Sequence, residues 1–63
     1  MSRVEIFSNN EWILISWHKN MDNAVINADV IHKSRKCDIR VITEGKVVWM
    51  KLGNNDAQLI DKI

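Results

Sequence analysis

The stretch MDNAVINADVIHKSR, at positions 21–35, decides the fold of this chain. Its apolar or small side chains recur every three or four positions, which is the repeat of one face of an α-helix. Asn20 or Asp22 can cap the N-terminus, and the basic residues of the last turn complement the helix dipole. We therefore predict a helix from Met21 to about Arg35. Its core-facing residues are Met21, Ala24, Val25, Ala28, Ile31 and His32.

A β-hairpin is predicted before this helix. Residues 3–7 alternate charged and apolar side chains, which is typical of a strand with one buried face. Residues 8–10, Ser-Asn-Asn, favour a turn because asparagine tolerates left-handed backbone angles. Residues 11–17 are rich in β-forming side chains and are apolar on both faces. The hairpin is expected to end near Trp17.

A second hairpin is predicted after the helix. Residues 37–42 and 47–52 read as strands, and residues 43–46 join them as a turn in which Gly45 supplies a positive φ. The order ββαββ predicts one α+β domain over residues 1–63, a four-stranded antiparallel sheet with the helix across one face. Residues 56–63 are predicted to form a short C-terminal helix or tail, with its apolar residues on one side. These are Leu59, Ile60 and Ile63.

The helix and the second turn also carry a resemblance. The run Asn23-Ala24-x-x-x-Ala28, followed by a strand and Glu44-Gly45-Lys46-Val47-Val48, resembles a group of short bacterial and phage domains with a Trp-containing first hairpin. The helix segment beginning at Asp22 is similar to that of small RNA-polymerase-inhibiting proteins of lytic coliphages. The resemblance spans residues 11–49 in outline and implies this architecture and a phage or bacterial origin.

The composition limits where and how the protein works. Nine Lys and Arg residues against eight Asp and Glu residues give a formal net charge of +1, whereas dedicated nucleic-acid binders are strongly basic. Cys37 is the only cysteine, so no internal disulfide forms and a reducing compartment is expected. Residues 1–10 have no apolar core of a signal peptide, and no apolar run has the length of a membrane span. We expect a cytoplasmic protein that does not contact a membrane.

Catalytic and metal-binding constellations are not evident. His18, His32 and Cys37 are the residues suited to a nucleophile pair or a soft-metal site, but they lack the closely paired ligands that zinc prefers. A half-buried His32 bonded to backbone is the simpler expectation. The carboxylates are scattered, mostly at positions expected to face water, so no acid–base pair is predicted. We expect neither an enzyme nor a bound cofactor or metal ion.

Apolar side chains that the helix cannot cover are the functional signal. Ile26 and Val30 lie four residues apart on the polar side of the helix, where they begin an apolar patch. Both hairpins have strands that are apolar on two faces, although one helix covers only one face of a sheet. The second face is therefore expected to be covered by another subunit, by a target or, in part, by the C-terminal tail. We predict a protein-binding module, a phage-encoded modulator or inhibitor of a host protein, that also forms a homodimer. The predicted contact residues are Ile26, Val30, Trp12, Trp17 and Trp49.

The alternative is a module that binds single-stranded nucleic acid. Lys33, Arg35 and Lys36 form a basic cluster at the end of the helix, and tryptophan side chains can stack on bases. A helix C-terminus favours basic residues in any case, and tryptophan in a small sheet is usually part of the core. Salt dependence separates the two functions, because phosphate contacts release counterions.

Overall fold

The computed structural model describes residues 1–53 of the chain. Two antiparallel hairpins flank one helix, α1, in the order ββαββ. The four strands form one sheet in the order β2-β1-β3-β4, so each hairpin contributes one central strand and one edge strand. The α+β fold predicted from the sequence is therefore confirmed. The elements are β1 Ser2–Ser8, β2 Glu11–His18, α1 Met21–Arg35, β3 Ile39–Thr43 and β4 Lys46–Lys51.

The core lies between α1 and one face of the sheet. Val4 and Ile6 on β1 pair directly with Val41 and Ile39 on β3, and all four side chains are buried. Ala24 and Ala28 on the helix are fully buried against them. Small side chains at these two positions let the helix backbone approach the sheet closely. The partly buried residues packed around this core are Val25, Ile31, Cys37 and Trp49.

The helix begins and ends as its sequence indicates. The Asn20 side chain accepts hydrogen bonds from the backbone N–H groups of Asp22 and Asn23, which satisfies donors that have no partner within the helix. Lys36 closes the C-terminus in the left-handed conformation, with φ of 57°. The predicted apolar face is correct at Ala24, Val25, Ala28 and Ile31. Met21, in the first turn, is exposed, and His32 is only half-buried.

Both hairpins close through two residues with positive φ, Asn9-Asn10 and Glu44-Gly45. Turns of this kind match the right-handed twist of the strands. Each edge strand also contains an extra residue, Ile15 in β2 and Val48 in β4, where the pairing register shifts by one. Such bulges bend the strand and increase its twist. The third strand begins at Ile39, two residues later than predicted. Asp38, just before it, accepts hydrogen bonds from the backbone N–H groups of Phe7 and Gly53.

Glu44 in the second turn has a positive φ of 53°. Asparagine and aspartate adopt this conformation more easily, because their short polar side chains can bond to the nearby backbone. The left-handed region costs an ordinary residue roughly 1–2 kcal/mol, and Asn-Gly is the preferred pair for this turn. Glu44→Asn is expected to raise the free energy of unfolding by about 0.5–1 kcal/mol in urea titrations. Lys46→Asn, beside the turn but in a strand, is the matched control. An equal gain there would show that the turn geometry is not the cause.

No helix within residues 1–53 is long and apolar enough to cross a membrane. The C-terminal helix or tail predicted for residues 56–63 lies outside the described residues.

Candidate functional site

The face of the sheet opposite the helix is the first candidate surface. Side chains alternate along a strand, so the neighbours of Val4 and Ile6 point away from α1, and strand pairing extends this set across the sheet. Within residues 1–53, no element packs over it. We call this surface the open face. It consists of Arg3, Glu5, Phe7, Trp12, Leu14, Trp17, Arg40, Ile42, Val47 and Met50.

A three-residue ion cluster lies at the centre of the open face. Glu5 Oε2 accepts a 2.8 Å hydrogen bond from Arg3 Nε, and Glu5 Oε1 accepts 2.8 Å contacts from Arg40 Nε and Nη2. Glu5 is only 8% exposed, and so is an exception among the carboxylates, most of which were expected to face water. Burial raises the pKa of Glu5, but the bonds from Arg40 and Arg3 outweigh it and lower the pKa below its ordinary value. Glu5 therefore stays ionised and fixes both arginines.

The arginines in turn contact the tryptophan side chains. The guanidinium of Arg40 lies 4.0 Å from the centre of the Trp12 ring, which is a close cation–π contact. Trp12 also packs at a tilt against Phe7, with ring centres 5.3 Å apart. Arg3 lies 6.0 Å from the ring of Trp17, its direct partner across the strands. The ion cluster thus holds Trp12 closely, and Trp17 lies on the same surface at the outer limit of a cation–π contact with Arg3.

Large apolar side chains surround this cluster and remain exposed. Trp17 is 53% exposed, and Leu14 and Met50 are also exposed although they lie directly opposite Glu5 and Arg40 on the neighbouring strands. Apolar side chains on one contiguous sheet face are the pattern of a binding surface rather than of scattered exposure. The open face therefore combines a rigid polar centre with an apolar surround.

The outer side of the helix is the second candidate surface. Ile26 is 63% exposed and Val30 is 59% exposed, as the sequence predicted for the polar side of α1. This side points away from the sheet, so it lies on the opposite side of the molecule from Trp12 and Trp17. The structure does not bring the predicted contact residues together. Trp49 joins neither surface, because it is half-buried and packs against the core.

The basic cluster is also separated from the tryptophans of the open face. Lys33, Arg35 and Lys36 are exposed at the C-terminal end of α1, which packs on the other face of the sheet. Lys33 forms an i,i+4 ion pair with Asp29 at 3.4 Å. The predicted combination of base stacking and phosphate contacts therefore does not form one surface.

A cleft of about 330 Å³ separates the edge strand β2 from the helix. Ser16 Oγ lies 3.0 Å from His18 Nε2 and 3.4 Å from Asn27 Oδ1, which ties the strand to the helix. A nucleophilic serine needs a base that a third group orients. Among residues 1–53, no hydrogen bond joins His18 to a carboxylate. The other residues lining the cleft are Ile15, Ile31 and Arg35.

The remaining candidate ligands do not converge. His32 is half-buried and its Nε2 lies 2.9 Å from the carbonyl oxygen of Leu52, which confirms the expected backbone contact. Across the described part of the chain, no three histidine, cysteine or acidic side chains lie close enough to hold a metal ion.

Sequence reasoning missed the ion cluster, whose members carry the geometry of the open face. Arg3 and Glu5 alternate with apolar residues, a pattern that reads as the water-facing side of a strand. The sequence did contain a signal for this cluster. Arg3 and Glu5 carry opposite charges two positions apart on β1, and Arg40 lies within β3, another strand of the same sheet. Only the pairing of β1 with β3, which places Glu5 opposite Arg40, turns these charges into one cluster.

The chain was compared with protein families, curated proteins and solved structures. No protein-family model, no curated protein and no solved structure matches this chain.

Proposed function

We propose that this protein is a non-enzymatic protein-binding module and that its contact surface is the open face of the sheet. The observation that carries the proposal is the set of exposed apolar side chains on one sheet face, with Trp17 and Leu14 on one side of a fixed ion cluster and Met50 on the other. Tryptophan is enriched among the residues that dominate binding energy, and a side chain held in place loses little entropy on binding. Such a module acts on its partner by occupying a surface, as an inhibitor or modulator does.

A different protein fits the open face better than a second copy of this chain does. Arg3, Arg40 and Glu5 give the face a net charge of +1, counted over residues 1–53. Packing two such faces together would bury two positive clusters against each other, which opposes association. The homodimer predicted from the sequence would therefore need another surface, such as the outer side of α1 with Ile26 and Val30.

Single-stranded nucleic acid is the competing partner. Binding of single-stranded nucleic acid requires several cations along the path of the phosphates. In this fold the basic cluster and the open face lie on opposite sides of the sheet, so one strand cannot contact both directly. We therefore favour a protein partner.

Trp17→Ala is expected to weaken partner binding about 30-fold or more, since loss of a binding hot spot costs about 2 kcal/mol or more. The wild-type protein is used to capture the partner from a lysate of the cells in which it acts. The purified partner is then titrated against the wild type and each variant by calorimetry. Because the Trp17 side chain is largely exposed, thermal unfolding should stay near that of the wild type.

Ile26→Asp is the matched control on the other candidate surface. It should leave the affinity within about twofold if the open face is the contact surface. Loss of binding with Ile26→Asp but not with Trp17→Ala would move the site to the outer side of the helix. Sedimentation of the same three proteins shows in parallel whether either surface supports self-association.

A further inference from the structure

We infer that the open face takes an apolar protein segment that carries a carboxylate, and that Arg3 binds this carboxylate beside Trp17. The inference rests on the proposed function, because it names the chemistry of the partner for the same face. It follows from the hydrogen-bond donors of the ion cluster and from the charge that the cluster leaves unbalanced.

Arg3 has donors to offer a partner. A guanidinium carries five N–H groups, and Arg3 uses its Nε on Glu5. No hydrogen bond within residues 1–53 engages its two terminal nitrogens. Its side chain is 36% exposed, whereas Arg40 is 24% exposed and lies over Trp12. Arg3 is thus the arginine that an incoming group reaches first.

Covering Arg3 with a purely apolar surface would remove water from these donors and leave them without acceptors. An unsatisfied buried donor costs about 1–3 kcal/mol, and more for a charged group. A carboxylate supplies two acceptor oxygens in the geometry that a guanidinium prefers. It also neutralises the net charge of +1 that Glu5 leaves on the cluster. The exposed side chains of Trp17 and Leu14 then contact apolar residues of the partner segment on either side of its carboxylate.

A protein carboxylate is favoured over the other sources of an anion. A nucleic-acid strand brings a charge with every nucleotide, but the open face has one net positive charge among the described residues. A second copy of this chain that packs open face to open face brings the same positive cluster instead of an acid.

Selection of displayed random 12-residue peptides on the immobilised full chain tests the inference. Peptides whose binding depends on Trp17 are expected to share one Asp or Glu among apolar residues. Exchanging that acid for its amide in a synthetic peptide should weaken binding about tenfold or more, and Arg3→Gln should do the same. The two changes made together should cost little more than either alone.

Two further variants separate a direct contact from general effects. Arg3→Lys keeps the charge but loses the two-pronged geometry, so it should retain only part of the affinity. Lys33→Gln removes a distant cation and should change the affinity by less than about twofold. Circular dichroism checks that Arg3→Gln remains folded, as expected because Arg40 still holds Glu5.

The outcomes distinguish this inference from the proposed function. Trp17-dependent peptides without an acid, or with an acid whose removal has no effect, would overturn the carboxylate site while leaving the open face as the binding surface. Failure to obtain any Trp17-dependent peptide would count against both. Binding of a single-stranded oligonucleotide that competes with the selected peptides would replace the protein carboxylate with a phosphate.

Discussion

Ile39→Ala is expected to lower the free energy of unfolding by about 3–4 kcal/mol, the usual range for deleting a buried aliphatic side chain. Within residues 1–53, Ile39 is the largest of the fully buried side chains; it pairs with Ile6 of β1 and belongs to the core under the helix. A domain of 63 residues is stable by only about 3–9 kcal/mol at typical values per residue. The variant should therefore show a much lower urea midpoint by circular dichroism, and a wild-type stability at the lower end of this range would leave much of the variant unfolded at 37 °C.

Ile26→Ala is the matched control, because the same atoms are removed from an exposed position on α1. It should change stability by less than about 0.5 kcal/mol, and alanine's higher helix propensity favours a small gain. An equally large loss for Ile26→Ala would mean that the outer side of the helix is covered in solution. That result would also support self-association through this surface.

Glu5→Gln is expected to lower the free energy of unfolding at pH 7 by about 2–3 kcal/mol. The change leaves two partly buried arginines without a counter-charge, and breaking a buried ion pair by removing one partner costs about 3–5 kcal/mol. The estimate is reduced because Arg3 is 36% exposed and so partly screened by water. Glu5 itself is buried beneath its neighbours on the open face.

The effect of this change should depend on pH with a definite sign. Burial raises the pKa of Glu5, but the bonds from Arg40 and Arg3 lower it more, so the folded-state pKa lies below the ordinary value of 4.5. A group with a lowered pKa stabilises the fold above its unfolded pKa, and this contribution disappears as the pH falls through the folded pKa. The stability difference between wild type and Glu5→Gln should therefore be constant near neutrality and shrink below about pH 4.5.

Asp29→Asn provides the comparison within the same chain. Asp29 also contacts two cations, Lys51 and Lys33, and the bond from Lys51 is the main cause of its lowered pKa. These ion pairs lie at the surface, where water screens the charges. Asp29→Asn should therefore lower the free energy of unfolding much less than Glu5→Gln does. Equal effects would show that burial of Glu5 is not what makes its cluster strong.

Local patterns were sufficient to predict the elements. The three- and four-residue spacing through Ala24 and Ala28 located the helix, and the position of Gly45 located the second turn with its positive φ. These features depend on residues close together in the chain, which is why they can be read without the fold. Exposure of Ile26 and Val30 followed from the same helical repeat.

The candidate site could be predicted only in part. Trp12 and Trp17 were named as contact residues and lie together on the open face, but Trp49 is on the other face, toward the core. The extra residue Val48 shifts the register of β4, so Val47 and Trp49 lie on opposite faces of the sheet. Because these strands are apolar on both faces, the sequence does not indicate which face is buried. Propensity alone therefore cannot assign these side chains to a surface.

The amino-acid sequence by itself determined the helix, the two hairpins and the α+β class, because each depends on repeats and turn residues within about fifteen positions. Only the tertiary structure decided that β1 and β3 are the central pair, and this pairing places Glu5 beside Arg40 across 35 positions of the chain. The same pairing puts the helix on one face and the ion cluster with Trp12 and Trp17 on the other. Strand order depends on how two hairpins bury their apolar faces against one helix, and that choice involves the whole chain at once.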